Sequence, residues 1–231
     1  MKALILAAGR GERMRPLTDS CPKPLIEVRG KRLIEWHIEA LARAGVREIV
    51  VNTAWLEEQF PAVLGDGSRY GVEIAYSFEG RDHGGALETA GGIAKALPLL
   101  SNAPDDAFWV VSGDVWVPGF AFAASDARDF AASDALAQLW LVPNAPHHPG
   151  GDFGIDARGL ASRDAAPKRT WASIGLFRAA LFADIVPGTR LALRPKLEEA
   201  IDRRALRARP WDGQWVDVGT MERLAALNAD G

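Results

Sequence analysis

Cysteine is almost absent from this chain of 231 residues; Cys21 stands alone. One thiol excludes an intramolecular disulfide and a cysteine-based zinc cluster, and it fits a reducing compartment, so the expectation is a cytoplasmic protein. An excess of positive charge is missing too. Lys and Arg number 27 against 30 Asp and Glu, for a formal net charge of -3, which excludes the general basic surface of a nucleic-acid binder. No apolar run approaches the ~20 residues of a membrane span. The short apolar stretch Ala3 to Ala8 runs straight into Arg10-Gly11-Glu12-Arg13, unlike a signal peptide. No repeat of solenoid period and no low-complexity linker divides the chain. With 48% hydrophobic residues it is long enough to bury a core as one domain spanning 1–231.

Two phosphate motifs are also lacking. The dinucleotide fingerprint GxGxxG fails because, counting from Gly9 and Gly11, its third glycine falls on Met14. The P-loop pattern GxxxxGK followed by Ser or Thr occurs nowhere. What is present is Leu4-Ile5-Leu6-Ala7-Ala8-Gly9-Arg10-Gly11-Glu12-Arg13, running on to Pro16-Leu17-Thr18 and Pro22-Lys23-Pro24-Leu25. An apolar strand feeds a loop whose small residues let backbone N–H groups approach an anion, with Arg10, Arg13, Arg15 and Lys23 adding fixed positive charge. That reads as a polyphosphate site, the alternative for a bare GxG being a turn with a solvated basic rim. Pro22 and Pro24 stiffen the backbone on both sides of Lys23, which favours a placed cation.

Along its length the chain alternates strand and helix. Ala3 to Ala7 predicts a strand, and Leu33, Ile34, Ile38, Leu41 and Ala42 mark the buried face of a helix ending near Gly45. Glu48 to Asn52 completes a βαβ unit. Trp55 to Leu64 reads as helix despite Pro61, Glu73 to Phe78 as strand, Thr89 to Leu100 as helix, and Ala107 to Val111 as a strand buried on both faces. A helix near Phe120 to Ala131 and a strand at Ala135 to Val142 come next, then loop composition from Pro143 to Gly151. Strands are expected near Phe153 to Ile155 and Trp171 to Phe177, and helices near Leu191 to Arg204 and Met221 to Ala229, with Trp211 to Val218 between them. The alternation predicts an α/β fold, a three-layer α/β/α sandwich around a mostly parallel, Rossmann-like sheet. Ligands in such sheets sit beyond the carboxyl ends of strands, which puts the Gly9 loop, the Asp114 turn and the loop after Asn52 on one rim.

Several residues on that rim carry chemistry. Asp114 follows an apolar strand and Gly113, where a carboxylate projects into a crevice or simply makes a turn or cap. Asp217 lies in Gln214-Trp215-Val216-Asp217-Val218-Gly219-Thr220, before a glycine and a threonine that open a helix, with Thr220 available as N-cap. Leu87-Glu88-Thr89-Ala90-Gly91-Gly92 begins a helix with small residues that can pass close to a base or ribose; the plainer role for Thr89 is the cap. Asp152, in Gly151-Asp152-Phe153, is offered either to sugar hydroxyls or to a turn. His147 and His148 lie in a Pro/Gly loop without HxxxH or Cys/His spacing and read as solvated. The eight tryptophans read as packing, because no basic aromatic interleaving surrounds them.

The string LAAGxGxRxxPLT from Leu6 to Thr18, followed by Pro22 to Leu25, resembles the signature of the sugar-1-phosphate nucleotidyltransferases. The Gly113-Asp114 pair and the late WxDVGT of Trp215 to Thr220 resemble that family's metal-binding pair. Stretches such as Asn52 to Leu56, Leu64 to Gly71 and Gly151 to Phe153 are similar to its branch acting with UTP on N-acetylmuramate 1-phosphate in peptidoglycan recycling. The resemblance implies an enzyme whose partners are a nucleoside triphosphate and a sugar 1-phosphate, with Mg2+ as cofactor and neither nucleic acid nor membrane. The triphosphate falls to Ala8, Gly9, Gly11, Glu12, Arg13, Lys23, Glu88 and Thr89, with Lys23 and Arg13 catalytic. Ser112 and Asp152 fall to the sugar phosphate, and Asp114 and Asp217 to the metal. The nucleotide-binding part then spans about 1–115 and the sugar-binding part about 116–231. Three departures stand out: Ser112 where the branch has Asn, a longer loop at 81–86, and Asp164 to Arg169 in place of an acidic-lysine-proline segment. A guanylyl- or thymidylyltransferase acting on mannose or glucose 1-phosphate is the alternative within the same chemistry. A non-catalytic nucleotide-sugar sensor is the alternative outside it.

Overall fold

The computed structural model describes residues 1–229. Its centre is a sheet of seven strands: β1 (Ala3–Ala7), β2 (Glu48–Thr53), β3 (Glu73–Phe78), β4 (Ala107–Ser112), β5 (Ala137–Val142), β6 (Thr170–Arg178) and β7 (Leu206–Pro210), in the order β7-β5-β6-β4-β1-β2-β3. Strands β4, β1, β2 and β3 pair in parallel. Strand β6 runs antiparallel to both β4 and β5, and β7 is parallel to β5. The mostly parallel sheet is therefore interrupted by one reversed strand, which closes the parallel half on its β4 side.

Helices α1 (Leu33–Arg43), α2 (Gln59–Leu64), α3 (Glu79–His83), α4 (Glu88–Leu100), α5 (Ala124–Ala131), α6 (Arg194–Asp202) and α7 (Met221–Ala229) complete the element order. Covering the sheet on both faces creates two cores. Ile34, Ile38 and Leu41 of α1 and Phe130 of α5 pack with Ile5, Ile49, Val51 and Trp109 on one face. Ile93 and Ala96 of α4 and Leu197 of α6 pack with Leu4, Val50, Phe108 and Leu139 on the other. All six residues of β5 are buried, as a strand covered on both faces requires.

The expected elements shift in several places, and α3 takes up the start of the segment 81–86 that reads as a loop. The helix expected over Trp55 to Leu64 is confined to α2, because Leu56 takes φ 47 and breaks the helical path. Pro61 then lies in the first turn, where its missing N–H is no loss. The helix expected from Phe120 begins only at Ala124, since Phe120 and Phe122 stack edge-on with Trp109 instead. Strand β7 has no counterpart among the expected elements. Its Leu206 and Ala208 are buried while Arg207 and Arg209 reach outward, the alternation of an edge strand that ends on Pro210.

A third, smaller cluster ties the two ends of the chain together beside the sheet. Met14, Ile26, Val28, Leu33, Trp116, Val218, Leu224 and Leu227 pack in it and join the N-terminal segment to α7. Within it, Val115–Trp116 pairs antiparallel with Val216–Asp217, matching Asp217 to Val115, and the Val218 N–H donates to the Asp114 carbonyl at 3.1 Å. His37 of α1 lies beneath this ribbon, 1% exposed, with Nε2 2.8 Å from the Val115 carbonyl. Burial drives the imidazole from 6.5 down to about 4, partly offset by the Val115 hydrogen bond and the charge of Asp114.

The folded value lies below the unfolded one, so unfolded chains take up this proton from about pH 6.5 downward while folded chains resist until about 4. Stability present at neutral pH is thus lost across that interval, by about 3 kcal/mol. Urea unfolding of wild type between pH 7 and 4 is expected to show this slope, and His37→Gln to flatten it. Identical slopes in the two proteins would assign the acid sensitivity elsewhere.

Candidate active site

The carboxyl ends of β1, β2 and β4 meet at a cavity of about 590 Å³. Its wall includes Ala7 to Arg13, Lys23, Asn52, Glu88, Thr89, Ser112, Asp114, Arg190 and Gly219. Ten of the residues singled out from sequence thus line one space: Ala8, Gly9, Gly11, Glu12, Arg13, Lys23, Glu88, Thr89, Ser112 and Asp114. Asp217 stands beside it through Lys23, and Asp152 is not among the lining residues.

The loop after β1 owes its shape to its glycines. Gly11 has φ 70, and a Cβ there would stand 3.0 Å from Thr18 Cγ2; the Thr18 hydroxyl donates to the Gly11 carbonyl at 2.9 Å. A Cβ on Gly9 would meet nothing within 4 Å, so that face of the backbone is open. The four cations of the segment divide by partner. Arg10 donates to the Thr18 carbonyl at 2.7 Å, pairs with Asp19 and lies 3.8 Å over the Trp55 ring. Arg15 also pairs with Asp19, at 2.9 Å. Arg10, Arg13 and Lys23 line the cavity, and Arg15 does not.

Lys23 is the meeting point of three chain segments. Its side chain is 8% exposed, and its ammonium lies 2.6 Å from Asp114 Oδ2 and 3.9 Å from Asp217 Oδ1. Gly113 makes this approach possible, since a Cβ there would stand 3.2 Å from Pro24 Cβ and 3.1 Å from the Leu6 carbonyl. Burial by itself raises the Asp114 carboxyl, but the Lys23 ammonium and the Ser112 hydroxyl, which donates to Oδ1 at 2.8 Å, hold it below the ordinary aspartate value. Ser112 therefore orients Asp114. Asp217 is oriented in turn by Arg223, whose Nη1 donates to Oδ2 at 2.6 Å and to the Asp217 carbonyl at 3.1 Å. An added Cβ at Gly219 would stand 3.0 Å from Arg13 Nη2, Arg223 Nη1 and Asp217 Oδ1 alike, so all three groups converge there.

Also on the cavity wall, Glu88 takes φ 61 and pairs with Arg190 at 3.0 Å. The N–H groups of Ala90 and Gly91 donate to the Leu191 carbonyl at 2.9 and 3.0 Å, so a neighbouring loop, rather than Thr89, caps this end of α4. Asp152 accepts from the Trp171 N–H at 2.8 Å through Oδ2, with His148 Nε2 3.3 Å from Oδ1.

Sequence patterns do not reveal several of these contacts. The loop of His147 and His148 is not merely solvated: His147 Nε2 is 3.7 Å from Asp217 Oδ2. Nothing local marks this, because the partner comes from a strand far along the chain. Arg223 and Arg190 carry no local mark of a site either. Among the described residues, no group of three or more His, Cys, Asp or Glu is placed to hold a metal ion, and no helix is long and apolar enough to cross a membrane.

A family model described as nucleotidyl transferase matches residues 2–230. The chain is 46% identical over 231 residues to N-acetylmuramate alpha-1-phosphate uridylyltransferase of Neisseria meningitidis serogroup B, covering 99% of this chain and 97% of that protein. It is 32% identical over 245 residues to the protein of the same name in Caulobacter vibrioides, covering 98% and 95%. In three dimensions it resembles a Bacillus anthracis protein assigned as a glucose-1-phosphate thymidylyltransferase and crystallised with sucrose, at a TM-score of 0.83, 22% identity, and 99% and 94% coverage. The match along almost the whole chain, carried by a cavity at the ends of parallel strands, makes this protein a member of the nucleotidyl transferase family, an enzyme of the sugar-1-phosphate nucleotidyltransferase class.

Proposed function

We propose that the chain transfers the uridylyl group of UTP to N-acetylmuramate 1-phosphate, giving UDP-N-acetylmuramate and pyrophosphate in peptidoglycan recycling. The observation that carries this reading is the 46% identity to the Neisseria meningitidis enzyme over 97% of that protein's length. A cavity of about 590 Å³ suits small-molecule substrates. The single cysteine fits action in the reducing cytoplasm.

An anionic oxygen of the sugar phosphate bonds to the α-phosphorus of UTP as the bond from that phosphorus to the bridging oxygen breaks. The bridging oxygen leaves with its electron pair as pyrophosphate. Because the nucleophile is already an anion, no general base is required; the protein must bring two polyanions together and hold them in line. Open backbone at Gly9, with Ala8, Gly11, Glu12 and the Arg13 guanidinium, suits the triphosphate, and Lys23 suits the point where the two phosphates meet. Glu88 and Thr89, on the wall of the same cavity, suit the nucleoside. Ser112 and Asp152 are offered to the sugar phosphate, Ser112 through its hold on Asp114 and Asp152 through the oxygen it shares with His148.

Asp114 and Asp217 present hard carboxylate oxygens to one ammonium, and Mg2+ at phosphate sites takes one or two such ligands, so this pair would hold the ion. When bound, magnesium neutralises charge on the phosphates. Ser112 and Arg223 fix the orientation of the two carboxylates.

Pyrophosphate release measured across nucleoside triphosphates and sugar 1-phosphates, with and without Mg2+, is expected to be fastest for UTP with N-acetylmuramate 1-phosphate and to require the metal. Release confined to GTP with mannose 1-phosphate, or dTTP with glucose 1-phosphate, would reject the muramate assignment, and no release from any pair would reject turnover. Asp114→Asn and Asp217→Asn are each expected to lower kcat/KM by about 10²-fold or more with far-UV circular dichroism unchanged. Near-normal rates in both variants would sink the shared-metal assignment.

A further inference from the structure

From the cavity wall at Ala7 and Asn52 runs a buried polar chain that the proposed chemistry does not use. Asn52, at the end of β2, is 2% exposed, and Glu79, the first residue of α3, is 0% exposed. Asn52 Oδ1 accepts from the Ala7 N–H at 2.9 Å. Its Nδ2 donates to Glu79 Oε1 at 2.6 Å, and Glu79 Oε2 accepts from the Leu87 N–H at 2.7 Å. Gly92 leaves room for this chain, since a Cβ there would stand 2.5 Å from Glu79 Oε1 and 2.7 Å from Asn52 Nδ2. Burial raises the Glu79 carboxyl above its ordinary value, while the hydrogen bonds from Leu87 and Asn52 oppose that shift.

Both ends of the chain are backbone N–H groups, which only donate, so the polarity of every link is set. Asn52 must turn its oxygen to Ala7 and its nitrogen to Glu79, and Glu79 must accept twice. The two ends lead into two separate segments of the cavity lining. Ala7 leads into the glycine loop, and Leu87 leads into Glu88 and Thr89. Leu87 is held on its other side as well, its carbonyl accepting from the Leu191 N–H at 2.9 Å. Directly after this doubly held residue, Glu88 takes φ 61, a conformation that a non-glycine residue keeps only where its surroundings impose it.

We infer that Asn52 and Glu79 are positioning residues for the nucleoside triphosphate, holding the glycine loop and the Glu88–Thr89 wall at a fixed separation through the chain Ala7–Asn52–Glu79–Leu87. This rests on the reading that the cavity takes a nucleoside triphosphate. It does not rest on which base that triphosphate carries.

Because the polarity is fixed, it can be broken and restored by substitution. E79Q turns an amide donor toward a donor, and N52D turns a carboxylate toward a carboxylate. Combined as N52D/E79Q, a carboxylate at position 52 accepts from Ala7 and from the amide at position 79, whose oxygen accepts from Leu87. All three hydrogen bonds re-form with the charge moved one side chain along. The measurements are calorimetric titration with the triphosphate that wild type turns over fastest, and KM for each substrate. Each single variant is expected to weaken triphosphate binding by about tenfold and raise its KM in step. KM for the sugar 1-phosphate should move by less than about twofold, and the double variant should recover most of the loss. If a single variant fails to fold, the double variant decides: folding with near wild-type affinity supports the inference, and impairment like that of the singles overturns it. Equal rises in both KM values would mean a general structural role and overturn it, as would a loss confined to one base, which would mean direct contact with the base. Wild type binding UTP with no rescue in the double variant defeats this inference alone. Wild type binding no triphosphate defeats the functional reading with it.

Discussion

Everything at the rim of the sheet depends on the compensation of one nearly buried ammonium. Lys23 cannot keep its charge out of water without acidic partners, because an unpaired buried charge costs several kcal/mol. Asp114, at 2.6 Å, and Asp217, at 3.9 Å, are those partners, and they come from segments far apart in the chain. The apolar cluster of Met14, Ile26, Val28, Trp116, Val218 and Leu224 lies alongside and supplies the burial that brings the segments together. Packing and charge therefore specify the same geometry, which is the consistency that favours a single native arrangement.

The site reads outward from that centre. Each carboxylate beside Lys23 has a second polar partner, Ser112 for Asp114 and Arg223 for Asp217, so neither is left to swing on the ammonium alone. Ser112 donates to the side chain two residues on, at 2.8 Å, and so braces the carboxylate from its own strand end. Arg10 and Arg15, both tied to Asp19, brace the loop, and Arg10 also lines the cavity.

Legibility in the sequence tracks the range of the physics involved. The strand Ala3–Ala7, the glycines after it and helix α1 are local patterns, and each is readable, since periodicity and the need for φ above zero at Gly11 act within a few residues. The mostly parallel sheet is readable from alternation. The reversal of β6 is not, because its direction depends on what the long loop after β5 does. Strand β7 hides behind its arginines and proline. The helix expected across Trp55 to Leu64 fails at Leu56, where a single positive φ outweighs the local apolar pattern. In the site, residues tied to a motif are legible, while His147, Arg223 and Arg190 are not, because each is defined by a partner brought close only by the fold.

The reversed strand β6 also bears on how the chain is made. Strands β1 to β4 precede it, and together they form a parallel half whose β4 edge carries unpaired N–H and C=O groups until β6 arrives. On a ribosome that edge stays open until residues Thr170–Arg178 have emerged to cover it. An uncovered strand edge is a template for pairing with another chain. The same reversed strand that covers the β4 edge in the finished sheet thus sets a window during synthesis in which a truncated or stalled product, ending anywhere between β4 and β6, presents an adhesive edge to its neighbours.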